Sequence, residues 1–134
     1  MIKRQPNQTE PIKLLLVDDE EGYVNVLTKR LSRRNIDVTP ALSAGDAVRI
    51  LRDKDFDVAV LDLKMGDMDG IEALKIFKKL YPPMEVIMLT GHGSQKAASD
   101  GLKLGAFDYL TKPCDLEDLL AKINDAYRKK VSSV

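Results

Sequence analysis

The sequence predicts an α/β fold in which five strands alternate with five helices. Short, nearly continuous apolar runs recur along the chain, and such runs are typical of strands buried on both faces of a parallel sheet. Between the runs, apolar residues recur at the spacing of amphipathic helices. Strict alternation of strands and helices indicates a parallel sheet covered by helices on both faces.

The composition is that of one globular domain. The chain has 134 residues, of which 44% are hydrophobic and 31% are charged, and 21 Lys and Arg balance 21 Asp and Glu. A formal net charge of zero gives no electrostatic sign of binding to nucleic acid or membranes. The apolar runs are too short to span a bilayer, and the single cysteine, Cys114, excludes an internal disulfide. We therefore expect a cytoplasmic protein, with residues 1–11 as a flexible polar lead-in.

Five apolar runs mark the strands, and four of them end abruptly in polar residues. The runs cover residues 12–17, 36–41, 56–61, 84–89 and 106–111. Asp18 and Asp19 follow the first run, Asp62 the third, Thr90 the fourth and Lys112 the fifth. Because ligands bind beyond the carboxyl ends of parallel strands, these side chains are predicted to converge on one site.

Three helices are predicted before the fourth strand. Glu20-Glu21 are interpreted as first-turn acids that suit the dipole of the first helix. Ser43, with Asp46 three residues later, is typical of the start of the second helix. A turn-rich loop at residues 64–69 precedes the third helix, which Pro82-Pro83 ends. The predicted inward faces carry Val24, Leu27 and Leu31; Ala47, Val48 and Leu51; and Ile71, Leu74, Phe77 and Leu80.

The last two helices differ in predicted strength. After a flexible loop at residues 91–93, residues 94–103 form a weak helix, because Gly101 and several small polar residues lower helix propensity. Asp115 begins the last helix, and residues 131–134 are expected to be a C-terminal tail or the start of a linker. The predicted inward face of the last helix carries Leu116, Leu119, Leu120, Ile123 and Tyr127.

The converging carboxylates predict a divalent-cation site that handles phosphate. Two like charges about 5 Å apart repel by about 3 kcal/mol at an effective dielectric constant of about 20, so such a cluster requires a cation. All-oxygen ligands suit Mg²⁺, which commonly shares a phosphate. A carboxylate beside Mg²⁺ can act as a nucleophile and form an acyl phosphate. Lys112 would neutralise one phosphoryl oxygen, and the Thr90 hydroxyl would hydrogen-bond to another.

Four motifs at the strand ends carry a family resemblance. They are Val17-Asp18-Asp19-Glu20, Leu61-Asp62-Leu63-Lys64-Met65 followed by Gly70, Leu89-Thr90-Gly91, and Tyr109-Leu110-Thr111-Lys112-Pro113. Each motif alone is weak, but together and in this order they are specific. Over about residues 12–130 the chain resembles the receiver domain of two-component response regulators, the CheY-like proteins. The resemblance implies a flavodoxin-like (βα)5 fold, a doubly wound five-stranded parallel sheet with strand order 2-1-3-4-5.

The resemblance also implies a role for each acidic residue. Asp62 would be the phosphorylated aspartate. Asp19, Asp62 and the backbone carbonyl of Lys64 would bind Mg²⁺ directly. Asp18 would contribute through water or as an outer ligand.

The remaining matched residues would bind the phosphoryl group and change conformation. Thr90 and Lys112 would contact the phosphoryl oxygens. Tyr109 occupies the position of the switch aromatic residue and would turn inward when Thr90 moves towards the phosphate. The Lys112–Pro113 peptide bond is expected to be cis, as is common in this family.

The function implied by the resemblance is that of a signalling switch. A sensor histidine kinase or phosphotransfer protein would donate the phosphoryl group, and phosphorylation would shift an existing inactive–active equilibrium. The output surface would consist of the fourth helix, the fifth strand and the last helix, through which homodimers would form. Residues 90–93 and 103–109 resemble receivers of the NtrC type, which precede an ATPase domain that controls transcription. We expect no direct contact with nucleic acid or membrane by this domain.

Two other functions are open at the sequence level. An aspartyl-phosphate hydrolase or phosphatase would use the same nucleophile, but such enzymes usually carry a second aspartate where this chain has Lys64. A degenerate receiver would bind partners without being phosphorylated, which the intact set of acidic residues, threonine and lysine disfavours.

Overall fold

The computed structural model describes residues 10–91 and 94–133, and in these residues five strands alternate with five helices. The strands are β1 (Ile12–Val17), β2 (Ile36–Ala41), β3 (Val58–Asp62), β4 (Glu85–Thr90) and β5 (Asp108–Thr111). The helices are α1 (Glu21–Ser32), α2 (Ala44–Asp53), α3 (Gly70–Leu80), α4 (Gln95–Lys103) and α5 (Leu116–Ser132). Nearly all of the predicted lead-in at residues 1–11 and most of the predicted loop at residues 91–93 lie outside the described residues.

The five strands form one parallel sheet in the order β2-β1-β3-β4-β5, which confirms the predicted flavodoxin-like topology. Val17, the last residue of β1, is level with Ala41 of β2 and Leu61 of β3. The strand order changes direction at β1 and β3, so a crevice opens beyond their carboxyl ends.

The sheet is buried on both faces, which explains the nearly continuous apolar runs. In β1, Leu14 and Leu16 belong to a core cluster shared with α1 and α5, whereas Leu15 and Val17 belong to a second cluster shared with α2 and α3. Successive side chains of a strand point to opposite faces. Each residue of such a strand must therefore be apolar until the strand leaves the core.

The predicted inward faces of the helices lie against the core, with two exceptions on α3. Ile71 is only half-buried and belongs to neither core cluster. Ser43 Oγ accepts a hydrogen bond from the Asp46 amide at 3.0 Å, as the predicted helix start requires. Leu80 was predicted to face inward, but it is exposed, with 38% of its surface accessible to solvent. The buried face of α3 is instead completed by Ala73 beside Leu74, and Leu80 is the final residue of the helix.

The helix α5 extends further than predicted. It runs through Ser132, and Val131 is buried in the same core cluster as Ile123 and Tyr127. The prediction of a tail or linker at residues 131–134 is therefore wrong for residues 131 and 132, because Val131 continues the inward face of the helix.

The helix α4 packs on the sheet through Gly101, which lies against Met88 of β4. A Cβ atom added to Gly101 would meet the Met88 sulfur at 2.2 Å, so a larger residue would require the Met88 side chain to shift. After α4, Gly105 adopts a positive φ of 106°, a conformation that favours glycine at the end of a helix. The same Gly101 that weakens the helix thus allows it to pack on β4. No helix in the described part of the chain is both long and apolar enough to cross a bilayer.

The amino end of β3 carries a buried ion pair that the sequence did not predict. Asp57 Oδ1 accepts a hydrogen bond from Lys130 Nζ at 2.8 Å, and its Oδ2 accepts one from the Lys13 amide at 2.9 Å. Beside this pair, Lys129 Nζ lies 3.5 Å from Glu85 Oε1. The last turns of α5 are therefore anchored to the edge of the sheet opposite the predicted site.

Candidate functional site

The polar residues that were predicted to converge lie at one edge of the sheet. Asp18 follows β1, Asp62 ends β3, Thr90 ends β4 and Lys112 follows β5. The strand register keeps these ends level, since Asp62 is paired with Leu89 and the Lys112 amide donates to the Thr90 carbonyl at 2.7 Å. Parallel pairing thus gathers residues that the sequence separates.

Asp62 is a buried carboxylate in which one oxygen accepts a hydrogen bond and the other, among the described residues, has no donor at normal hydrogen-bond distance. The residue is only 4% exposed. Its Oδ1 accepts a hydrogen bond from the Lys64 amide at 3.0 Å, and its Oδ2 lies 3.5 Å from Lys112 Nζ. Burial raises the pKa of the Asp62 carboxyl, although the Lys64 amide and the Lys112 charge oppose the shift.

Lys112 extends its ammonium group into the middle of the acidic residues. Its Nζ donates hydrogen bonds to Asp18 Oδ2 and to Glu20 Oε1, both at 2.8 Å. The ring of Tyr23 lies under the same group, with its centroid 4.5 Å away. Burial lowers the pKa of Lys112, but the hydrogen bonds and the charges of Asp18, Glu20 and Asp62 outweigh burial and raise it. Lys112 is therefore charged at neutral pH.

The side chains of Asp18, Glu20 and Asp62 form the candidate metal centre. One carboxylate oxygen from each lies within 4.8 Å of the other two. Asp18 is completely buried, and its Oδ1 accepts a hydrogen bond from the Glu20 amide at 2.9 Å. Oxygen donors of this kind and spacing fit a hard divalent cation such as Mg²⁺.

Glu20 is the site residue that sequence reasoning missed. It was interpreted as a first-turn acid, but it is the N-cap residue of α1 and its side chain is bonded to Lys112. The hydrogen bond to Lys112 and the lysine charge lower the pKa of the Glu20 carboxyl. Its place directly after Asp18 and Asp19, at the end of β1, was the available signal.

Asp19 lies at the rim of the site. It is exposed, and its Oδ2 accepts a hydrogen bond from the Gly66 amide at 3.2 Å. Its carboxylate is not part of the group of three that lies within 4.8 Å among the described residues. A direct bond from Asp19 to Mg²⁺ therefore stays a prediction from the family resemblance.

The loop after β3 folds back beside the site. Lys64 forms an antiparallel bridge with Asp69, and the Gly70 amide donates to the Leu63 carbonyl at 3.2 Å. A Cβ atom at Gly70 would lie 2.4 Å from the Leu63 Cα, so this close approach requires glycine. The side chain of Lys64 is exposed, while its amide supports Asp62.

Thr90 and Tyr109 lie on adjacent strands next to the acidic residues. Thr90 is buried, and its hydroxyl donates a long hydrogen bond of 3.4 Å to the Leu110 carbonyl. Tyr109 is level with Met88, is half-buried, and packs against the core cluster on the α2–α3 side of the sheet. Such a weakly held hydroxyl can exchange its partner at small cost. The Lys112–Pro113 peptide bond is cis, as expected.

The sequence matches one protein family over most of its length. The profile of the response regulator receiver domain matches residues 14–124. The transcriptional regulatory protein GlrR of Escherichia coli (strain K12) is 38% identical over 117 residues, which cover 87% of this chain and 26% of GlrR. The DNA-binding transcriptional regulator NtrC of Proteus hauseri is 38% identical over 111 residues, which cover 83% of this chain and 24% of NtrC. The chain thus spans about a quarter of the length of these curated relatives.

Solved structures share the same fold. A CheY-like receiver domain protein of Methanospirillum hungatei JF-1 superposes with a TM-score of 0.88 and 30% identity, covering 93% of this chain and all of the other. A response regulator of Burkholderia pseudomallei, described with a phosphorylated aspartic acid, a calcium ion and citrate, superposes with a TM-score of 0.79 and 27% identity. That match covers 92% of this chain and 73% of the other.

Proposed function

The chain belongs to the response regulator receiver domain family, and from this premise we propose that Asp62 accepts a phosphoryl group in a Mg²⁺-dependent reaction. Receivers are the signalling domains of two-component response regulators.

The observation that carries the proposal is the state of the Asp62 carboxylate. Oδ1 is fixed by the Lys64 amide, whereas Oδ2 has Lys112 at 3.5 Å, beyond a normal hydrogen bond. A buried oxygen that lacks a close donor is available to attack phosphorus. Because Oδ1 is anchored, the carboxylate presents Oδ2 in a constant orientation.

The donor is expected to be a phosphohistidine of a sensor kinase or phosphotransfer protein. Asp62 Oδ2 forms a bond to phosphorus while the phosphorus–nitrogen bond of the phosphohistidine breaks, and the electron pair of that bond stays on the imidazole nitrogen. Lys112 compensates the negative charge that accumulates on the phosphoryl oxygens. Asp62 is thereby converted into an acyl phosphate, and the histidine is regenerated.

The cation would be held by carboxylates on β1 and β3. Asp18 and Asp62 are buried and preorganised, whereas Glu20, the third carboxylate within 4.8 Å, is bonded to Lys112. Asp19 and the carbonyl of Lys64 complete the expected ligand set. When bound, Mg²⁺ neutralises carboxylate and phosphoryl charge. The related regulator of Burkholderia pseudomallei, described with a phosphorylated aspartic acid and a calcium ion, supports phosphorylation of an aspartate in this fold.

The conformational response would pass through Thr90 and Tyr109. The hydroxyl of Thr90 would leave the Leu110 carbonyl, from which it is 3.4 Å away, for a phosphoryl oxygen. Tyr109, on the neighbouring strand, would then turn inward. The surface formed by α4, β5 and α5 would transmit this change to an output domain or to a second receiver in a homodimer.

The output is expected to be transcriptional. GlrR and NtrC are described as transcriptional regulators, and this chain corresponds to about a quarter of each. We therefore propose that an output domain following α5 acts on transcription, while the receiver itself does not contact nucleic acid.

The test is the intact mass of the chain after incubation with Mg²⁺ and acetyl phosphate. We expect a gain of one phosphoryl group that is retained for a time, is absent when Mg²⁺ is chelated, and is absent in Asp62→Asn. An unchanged wild-type mass would indicate a degenerate receiver. Repeated turnover of a phosphomonoester would instead indicate a phosphatase.

A further inference from the structure

We propose that Glu20 is a positioning residue that competes with the phosphoryl group for Lys112. This inference rests on the function proposed above and deepens it. In the unphosphorylated state, Glu20 holds the ammonium group. On phosphorylation of Asp62, Lys112 exchanges Glu20 for a phosphoryl oxygen, and Glu20 returns to solvent.

The distances around Lys112 show where its hydrogen bonds go. Two of its donors are used by Asp18 and Glu20, at 2.8 Å each, whereas Asp62 Oδ2 is 3.5 Å away. An ammonium group has three donors. Lys112 is therefore committed mainly to the β1–α1 junction and not to the acceptor aspartate.

The two carboxylates that hold Lys112 differ in their freedom to move. Asp18 is completely buried, and its other oxygen is bonded to the Glu20 amide. The Glu20 side chain is 65% exposed and makes no side-chain cap hydrogen bond to α1. Among the described residues its side chain hydrogen-bonds to Lys112. Glu20 can leave Lys112 and be solvated at once, whereas Asp18 cannot.

Tyr23 restricts the ammonium group from the remaining side. Its ring centroid lies 4.5 Å from Lys112 Nζ, a distance at which a cation is attracted to an aromatic face. Burial raises the pKa of the Tyr23 hydroxyl to about 12, so the ring is uncharged at neutral pH. With Asp18 and Tyr23 fixed, the exchange of Glu20 for phosphate requires only a small movement of Lys112.

The size of the competition follows from the exposure of Glu20. Ion pairs with one exposed partner contribute little to stability, because water screens them. Removing the competitor should therefore strengthen binding of a phosphoryl mimic by about two- to fivefold.

The experiment is a titration with beryllofluoride at saturating Mg²⁺, followed by amide NMR. We expect the half-saturating concentration to fall about two- to fivefold in Glu20→Gln. Glu20→Asp should shift in the same direction, because the shorter side chain keeps its charge but loses reach to Lys112. Glu21→Gln, which removes a neighbouring exposed charge, is the matched control and should bind like the wild type.

Several outcomes would overturn the inference. If Glu20→Gln binds beryllofluoride no more tightly than the wild type, Glu20 does not compete for Lys112. An equal shift in Glu21→Gln would assign the effect to general charge, and weaker binding of both Mg²⁺ and beryllofluoride by Glu20→Gln would make Glu20 a metal ligand. A wild-type chain that ignores beryllofluoride would contradict the proposed function as well, so the two failures are distinguishable.

Discussion

Both ends of β3 carry a buried aspartate that faces a lysine, yet the two ends differ in how well the aspartate is satisfied. At the amino end, Asp57 uses both oxygens in hydrogen bonds of 2.8 and 2.9 Å, to Lys130 and to the Lys13 amide. At the carboxyl end, Asp62 has one oxygen bonded to an amide and the other 3.5 Å from Lys112.

The two ends of β3 also differ in how many cations face their carboxylates. Lys130 and Lys129 form ion pairs with Asp57 and Glu85, so each of these two acids faces a cation. At the other end, among the described residues, Lys112 is the one cation that forms ion pairs with the clustered carboxylates of Asp18, Glu20 and Asp62. The amino end therefore stabilises the fold, whereas the carboxyl end keeps an excess of negative charge that a cation can relieve. The same residue types thus produce an anchor at one end and a reactive site at the other.

The largest expected effect is the loss of the anchor. Lys130→Met removes one partner of the buried ion pair with Asp57, and breaking a buried pair in this way typically costs about 3–5 kcal/mol. We expect the free energy of unfolding in urea to fall by that amount. Lys129→Met is the control, because Lys129 is 55% exposed where Lys130 is 12% exposed, and it should cost less than about 1 kcal/mol. If both variants lost the same free energy of unfolding, the buried pair of Lys130 would be no stronger than the exposed pair of Lys129.

The next largest effect is the stabilisation of the protein by Mg²⁺, which should depend on the carboxyl end of β3 and not on the amino end. At about ten times its dissociation constant, a ligand that binds only the folded state adds about 1.4 kcal/mol to the free energy of unfolding. We expect this gain in the wild type. Lys130→Met should gain the same amount, although its free energy of unfolding without Mg²⁺ is lower. Asp62→Asn should gain much less. A similar gain in Asp62→Asn would place the cation elsewhere.

Asp62→Asn should stabilise the metal-free protein. It removes one of the like charges that repel each other around Lys112 and keeps the size of the side chain, so we expect a gain of about 1 kcal/mol at low salt. Asp57→Asn should have the opposite sign, since it weakens the bond to Lys130. Urea unfolding of both variants in a chelating buffer makes the comparison. If Asp62→Asn instead lowered the free energy of unfolding, the Asp62 carboxylate would be stabilised by its neighbours, as that of Asp57 is.

The stability advantage of Asp62→Asn should depend on pH. Burial raises the pKa of the Asp62 carboxyl, so the ionised form costs stability above the folded-state pKa. That cost declines as the pH falls through the folded-state pKa and is absent below the unfolded-state value of about 4. Urea unfolding of wild type and variant from neutral pH downwards should show the gap closing. A gap that widens on acidification would contradict the assigned direction.

The sequence predicted the reactive end better than the anchor. Asp62, Thr90 and Lys112 interrupt apolar runs at strand ends, and strand order alone brings them together. Asp57 lies inside an apolar run and was interpreted as part of a strand, although β3 begins one residue later. Its partner, Lys130, belongs to a helix far away in the sequence. The spacing of apolar residues within a segment does not predict an ion pair between two distant segments.

The features that sequence missed depend on side-chain direction. Glu20 suits a helix start by its type, but its contact with Lys112 depends on how α1 meets β5. The extension of α5 depends on Val131 reaching the core. Gly101 was interpreted only as a weakener of α4, whereas its lack of a side chain allows close packing on Met88.

The most direct test compares the two ends of β3 within one peptide. Trypsin cleavage after Lys54 and Lys64 releases residues 55–64, which contain both Asp57 and Asp62. After incubation with Mg²⁺ and acetyl phosphate, borohydride reduction converts a phosphorylated aspartate to homoserine, and fragmentation of the peptide locates it. We predict homoserine at residue 62 and unchanged aspartate at residue 57. Homoserine at residue 57, or at neither position in a chain that has gained a phosphoryl group, would contradict the assignment of the reactive end.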